Sequence, residues 1–132
     1  MKLIEIYQCL CDRTRLRILH LLLKGPLCVC HLQDIIGESQ VNISRHLSYL
    51  KNRGLVKATR HHTWKMYQLP AKPSPELEAN LKCLQDCLQT EPEFKADLAK
   101  LKKLMGSPDT QNLLAEACCP PAQRHKKRQK TC

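Results

Sequence analysis

Ser39-Gln40-Val41-Asn42-Ile43-Ser44-Arg45-His46-Leu47-Ser48-Tyr49-Leu50, followed by Lys51-Asn52-Arg53-Gly54, decides the fold. Ile43, Leu47 and Leu50 recur at helical spacing and predict an inward stripe. Ser39 or Asn42 serves as N-cap, and Gly54 stops the helix. The opposite face presents Asn42, Ser44, Arg45, Ser48 and Tyr49. Just upstream, Leu27, Cys30, Leu32, Ile35 and Ile36 predict another helix that closes at Gly37. Two helices joined by Gly37-Glu38-Ser39-Gln40 make a helix-turn-helix over about 28–54, and the second helix is the reader.

Working outward, residues 55–69 change period. Leu55–Arg60 and Thr63–Leu69 read as two strands around His61-His62, a β-wing. Towards the start, residues 2–10 predict a short helix with Leu3, Ile4, Tyr7 and Leu10 on one face. Asp12 caps the next, where Leu16, Leu19, Leu22 and Leu23 recur and Gly25-Pro26 ends the run. Ile18 and Leu21 widen its apolar surface, so it is expected to meet more than one neighbour. Beyond the linker 70–73, Ser74-Pro75 starts a helix carrying Leu77, Leu81, Leu84 and Leu88. Thr90-Glu91-Pro92-Glu93 has capping-box form and starts another, with Phe94, Leu98, Leu101 and Leu104 as its stripe. These last helices offer apolar surface outside the winged helix, for a dimer interface or for internal packing. The expected architecture is mainly α with a small β-hairpin wing, a winged helix-turn-helix dimerised through flanking helices. Residues 1–106 form that domain and 107–132 a cysteine-containing basic tail, partly disordered.

The 132 residues suffice for one modest core, which must be mostly Leu and Ile because there are one Phe, one Trp and three Tyr. A net charge of +10 favours a polyanion. The tail Arg124-His125-Lys126-Lys127-Arg128-Gln129-Lys130 contributes part of it, and the body stays basic without it. Duplex DNA is the expected partner. Asn42, Ser44, Arg45 and Tyr49 face the major groove, with Ser39, Gln40 and His46 close by. Arg60, His61, His62 and Lys65 supply the wing contacts. No segment of transmembrane length lacks charge, and the first residues do not form a signal peptide, so a cytoplasmic protein without a membrane partner is expected.

Nine cysteines is a high count. They fall in close pairs, Cys9/Cys11, Cys28/Cys30, Cys83/Cys87 and Cys118/Cys119, with Cys132 alone. Close pairs in a chain of this kind read as metal or redox sites rather than as a secreted disulfide scaffold. Cys28 and Cys30 matter most because they open the first helix of the helix-turn-helix. Thiolates select thiophilic ions. At i,i+2 on a helix they would not share a face, so gripping one ion would require that turn to be distorted. Cys83 and Cys87 do share a face, suited equally to a metal and to a dimer core. His31 reads as a solvated helix residue.

Three stretches give the chain a resemblance to the ArsR (ArsR/SmtB) family of metal-responsive winged-helix repressors. They are Asp12-Arg13-Thr14-Arg15-Leu16-Arg17-Ile18-Leu19, Leu27-Cys28-Val29-Cys30-His31-Leu32, and Ser39 to Leu47 with Leu50 to Val56. The resemblance covers residues 12–69. It implies a homodimeric repressor of a resistance operon that needs no cofactor to bind operator DNA. Trivalent arsenic or antimony would act as inducer, binding Cys28 and Cys30 and releasing the DNA. The usual third cysteine, three positions after the second, is replaced by Gln33. Cys118 and Cys119 are the next candidate ligands, then Cys9, Cys11, Cys83 and Cys87. The family's hard-metal site on its dimerisation helix needs His, and residues 74–105 contain none.

Two other sensing readings stay open: a thiol redox switch without metal, and a sensor of methylarsenite or another soft ion. An enzyme is not expected, since there is no Cys-x-x-Cys and no nucleotide loop, and no residue is assigned a catalytic role. A purely structural DNA-binding protein would leave the cysteine pairs without a use.

Overall fold

A computed structural model describes residues 2–61 and 64–104. In chain order the elements are α1 (Lys2–Leu10), α2 (Arg13–Leu22), β1 (Leu27–Cys28), α3 (Val29–Ile36), α4 (Gln40–Asn52), β2 (Lys57–His61), β3 (Trp64–Gln68), α5 (Pro75–Cys87) and α6 (Pro92–Leu104), with a 3-10 turn at Leu88–Thr90. The fold is mainly helical with a small antiparallel wing behind a helix-turn-helix.

Local chemistry sets the boundaries. The Asp12 carboxylate accepts from the Arg15 amide at 3.0 Å, Ser39 Oγ from the Asn42 amide at 3.2 Å, and Ser74 Oγ from the Leu77 amide at 3.3 Å. Each cap satisfies an amide that the first helical turn leaves unpaired. Gly37 closes α3 at φ 84°, a left-handed conformation that a side chain would resist.

Helix α2 is the hub. Ile18, Leu19, His20, Leu21 and Leu22 are all buried, and α1, α3, α4, α5 and α6 all pack on it. The reading helix α4 turns Ile43, Leu47 and Leu50 into the same core, as its spacing requires. Leu77, Leu81 and Leu84 of α5, with Phe94 and Leu101 of α6, are buried within this chain. Both helices therefore use their main apolar stripes for internal packing, and dimerisation through them is not seen in this single chain.

Three expectations need correction. In α1 the inward residues are Ile6 and Cys9, while Ile4 and Tyr7 are 54% and 51% exposed. The helix is rotated from the expected face because Ile6 fits the core beside α2 and α5. Leu27 does not begin α3. It pairs with Tyr67, and Cys28 with Met66, so the sheet has three strands in the order β1-β3-β2. Leu55 and Val56 are buried core residues ahead of β2, not wing strand.

The sequence also hid a buried ion pair. Asp97 of α6 is 1% exposed and takes both Arg17 Nε and Nη2 of α2 at 2.8 Å. Arg17 Nη2 also donates to the Ile36 carbonyl at 3.3 Å, and Glu93 binds Arg13 and lies 3.8 Å from Arg17. Beside them His20 packs edge-on against Phe94 at 5.2 Å, and burial pushes its pKa down. Among the described residues no helix is long and apolar enough to cross a membrane.

Asp97→Ala strands the Arg17 guanidinium in a largely buried position, which costs about 3–5 kcal/mol. Urea denaturation monitored at 222 nm should show an unfolding free energy lower by that margin, read as a lower midpoint at unchanged slope. A midpoint unchanged from wild type would show that the pair contributes nothing net.

Candidate functional site

The reading surface begins at the Ser39 cap. Gln40, Asn42, Arg45 and Ser48 are exposed on α4, and Ser44 is half-buried. Asn42 Nδ2 donates to Glu38 Oε1 at 3.4 Å. Tyr49 is held between two guanidinium groups, Arg15 at 4.2 Å and Arg53 at 3.5 Å from its ring centroid. His46 points back at the protein, with Nδ1 3.4 Å from Arg15 Nη1 and Nε2 3.9 Å from Asp12. Arg15 also donates to the Cys9 and Gln8 carbonyls at 2.9 and 3.0 Å, so one side chain ties the end of α1 to the reading helix. On the wing, Arg60 and Lys65 are exposed and opposite one another in register. The backbone of His61 ends β2, opposite Trp64, and His62 lies outside the described residues.

One residue of this surface went unnoticed in the sequence. Val41 is 64% exposed at the N-terminal end of α4. Its signal was an apolar side chain off the Ile43-Leu47-Leu50 stripe.

The first thiol pair sits where the wing meets the helix-turn-helix. Cys28 is extended, at φ −95° and ψ 170°, while Cys30 lies in the first turn of α3. That break in helical geometry removes the i,i+2 objection. The two side chains pack in one buried cluster with Met66 of β3, and both cysteines are disulfide-bonded. His31 is buried rather than solvated. Its Nδ1 lies 3.3 Å from Cys28 Sγ, and burial pushes its pKa down against the pull of Asp34. At the position where the resemblance expects a third cysteine, Gln33 carries a buried Oε1 with no partner among the described residues.

The other candidate thiols are elsewhere. Cys9 is in the main core, where burial raises its pKa, and Cys11 is exposed. Cys83 and Cys87 lie on the outer face of α5 with sulfurs 3.7 Å apart, and the hydrogen bond with Cys83 raises the pKa of Cys87. Cys118 and Cys119 lie outside the described residues. Among the described residues no group of three or more His, Cys, Asp or Glu side chains is placed to hold a metal ion.

Residues 12–58, from the Asp12 cap through the reading helix to the start of β2, match the family described as "Bacterial regulatory protein, arsR family". The arsenic resistance transcriptional regulator ArsR2 of Pseudomonas putida is 36% identical over 107 residues, which is 79% of this chain and 90% of that one. The chain belongs to the ArsR family. It is a DNA-binding transcriptional regulator and not an enzyme. The arsenical resistance operon repressor of Escherichia coli K12 is 36% identical over 91 residues, covering 65% of this chain and 78% of the relative. Among solved structures, reduced HlyU from Vibrio cholerae N16961 superposes with a TM-score of 0.58 at 30% identity, covering 65% of this ArsR-family chain and 90% of HlyU.

Burial orders the free thiols by access. In reduced, folded protein, Cys11, Cys83 and Cys87 should alkylate with iodoacetamide at least about tenfold faster than Cys9, which reacts only when the core opens. Peptide mass mapping over a time course measures this. Equal rates at Cys9 and Cys11 would contradict the placement of Cys9 in the core.

Proposed function

We propose that this ArsR-family regulator is an arsenic- or antimony-responsive repressor of a resistance operon, with Cys28 and Cys30 as its sensing thiols. The observation that carries the reading is the position of that pair. Its backbone is hydrogen-bonded into the wing through Cys28 and Met66, and its next turn is the helix on which α4 packs. The names of the Pseudomonas putida and Escherichia coli relatives point to the same effector.

The chain's residues would act as follows. Reduction frees the two sulfurs, and the neutral His31 imidazole accepts a hydrogen bond from the Cys28 thiol. Trivalent arsenic supplies a soft centre that prefers sulfur to the amide oxygen of Gln33. The junction of β1 and α3 therefore provides two thiolates, and the third comes from elsewhere, with Cys118 or Cys119 first in line. Drawing Cys28 and Cys30 around an ion shifts β1 and the first turn of α3 together. The wing and the reading helix then no longer present one surface to DNA.

On that surface, Arg45 pairs with guanine and Asn42 with adenine, and exposed Val41 packs on a thymine methyl group. Ser39, Gln40 and Ser44 meet phosphate, His46 and Tyr49 set the geometry of Arg15 and Arg53, and Arg60, His61, His62 and Lys65 contact the flanking backbone. A second copy docks on the α1 face that carries Ile4 and Tyr7, giving a two-fold dimer on a palindromic operator. The domain spans 1–106, and the basic tail 107–132 adds salt-sensitive attraction.

A second reading rests on the disulfide-bonded state of the pair. In it, oxidation and reduction of Cys28 and Cys30 switch DNA affinity without metal.

Fluorescence anisotropy on a duplex carrying the gene's own upstream region tests both. With reductant present, saturating arsenite should weaken wild-type binding by about tenfold or more and leave Cys28→Ser with Cys30→Ser unaffected. Wild type that keeps its affinity in arsenite contradicts the first reading. Wild type that changes affinity only between oxidised and reduced forms establishes the second.

A further inference from the structure

We infer that Glu38, in the turn between α3 and α4, is a specificity-determining residue that orients the Asn42 side-chain amide and so sets which base Asn42 reads. This rests on the role proposed above for Asn42 as a base reader. Glu38 follows Gly37, whose left-handed backbone closes α3, and precedes Ser39, the cap of α4. Its carboxylate is shared between two helices. Oε2 accepts from the Thr14 hydroxyl of α2, and Oε1 accepts from Asn42 Nδ2 at 3.4 Å. The Asn42 backbone amide is held as well, by Ser39 Oγ at 3.2 Å. Asn42 is therefore tied at backbone and side chain, and the half-buried Thr14 and Glu38 connect it to the hub helix.

The chemistry of the partner fixes the direction of the amide. An Asn side chain has a donor end and an acceptor end, which a half-turn exchanges. A carboxylate only accepts, so the end that faces Glu38 is Nδ2. Oδ1 is left to meet the base, and it needs a donor there. In the major groove adenine N6 and cytosine N4 are donors, whereas guanine O6 and thymine O4 are acceptors. Nδ2 keeps a second hydrogen, which adenine N7 takes and cytosine does not. Adenine is thus favoured, and guanine and thymine meet lone pair with lone pair. Without Glu38 the amide turns over and donates to either of them.

Charge alone does not account for an acid at this place. A carboxylate beside a DNA-facing helix repels phosphate whatever the sequence. It also suits the positive end of α4, an effect without base preference. On its inner side, the hydrogen bond and charge of Asp97, then the charges of Glu93 and Glu38, hold the Arg17 pKa up. The acid thus has a cation behind it and a donor on each side, and its one contact on the reading face is Asn42.

The test uses the reduced full-length protein. Selection from a randomised duplex pool gives its preferred site, and the position whose preference disappears in Asn42→Ala is the Asn42 position. Fluorescence anisotropy on four duplexes that differ only there reads the base preference. Wild type should favour adenine over guanine or thymine by about tenfold or more. Glu38→Gln keeps the size and the Thr14 bond but turns a donor towards Asn42. The preference should fall by about tenfold, with tighter binding to the guanine and thymine duplexes. Thr14→Val, which loosens the carboxylate, should lower it by about threefold. In an Asn42→Ala background, Glu38→Gln should leave the ranking of the four duplexes unchanged, because the two residues act as one unit. A wild-type preference retained in Glu38→Gln, with all four duplexes bound more tightly together, overturns the proposal and leaves Glu38 a charge effect. If Asn42→Ala loses no base preference, Asn42 is not a base reader and the inference falls with it, while site binding by the protein leaves the repressor reading standing.

Discussion

A two-residue pairing holds the functional parts together. Leu27 and Cys28 add a third strand to the wing by bonding to Tyr67 and Met66. Without it the wing would be a lone hairpin, which is marginal in water. With it, the wing is fixed to the residue immediately before α3. The same pairing explains why Cys28 is extended while Cys30 is helical, and so why two cysteines at i,i+2 share one buried cluster. The position of the wing, the entry of the scaffold helix and the environment of the thiols are consequences of one contact.

A second layer of constraint works from the other side of α2. Arg17 and Asp97 join α2 to α6 and reach the end of α3 through the Ile36 carbonyl. Arg15 joins the end of α1 to α4, through two carbonyls, His46 and the face of Tyr49. Two arginines two positions apart on α2 thus hold the end of α3 and the second half of α4. The reading helix has little freedom to move by itself, so a change at the β1–α3 junction is transmitted as a shift of whole elements.

Much of this was legible in the sequence because it rests on local rules. Ile43, Leu47 and Leu50 gave the inward stripe of α4, Asp12, Ser39 and Ser74 gave caps, and the change of period after Gly54 gave the wing. The failures came where distant partners decide. Nothing local distinguishes Leu27-Cys28 as strand from helix start, because only Tyr67 and Met66 make it a strand. His31 reads as polar and is buried beside Cys28 of β1, which only the fold reveals. Asp97 looks like a solvated residue on a charged helix, and Arg17, eighty positions away, makes it an internal one. In α1 the choice between Ile4 and Ile6 as the inward residue depends on where α2 and α5 lie. Of the candidate ligands, Cys28 and Cys30 were placed together by motif, whereas the nearness of Met66 and His31 required the fold.

The thiol pair is the proposed joint between wing and scaffold helix. Hydrogen exchange on reduced protein, with and without arsenite, tests that claim most directly in the peptides covering 27–36 and 64–68. Arsenite should change exchange in both segments together, because Cys28 and Met66 share a strand pairing. A change confined to 27–36, with 64–68 unmoved, would contradict it.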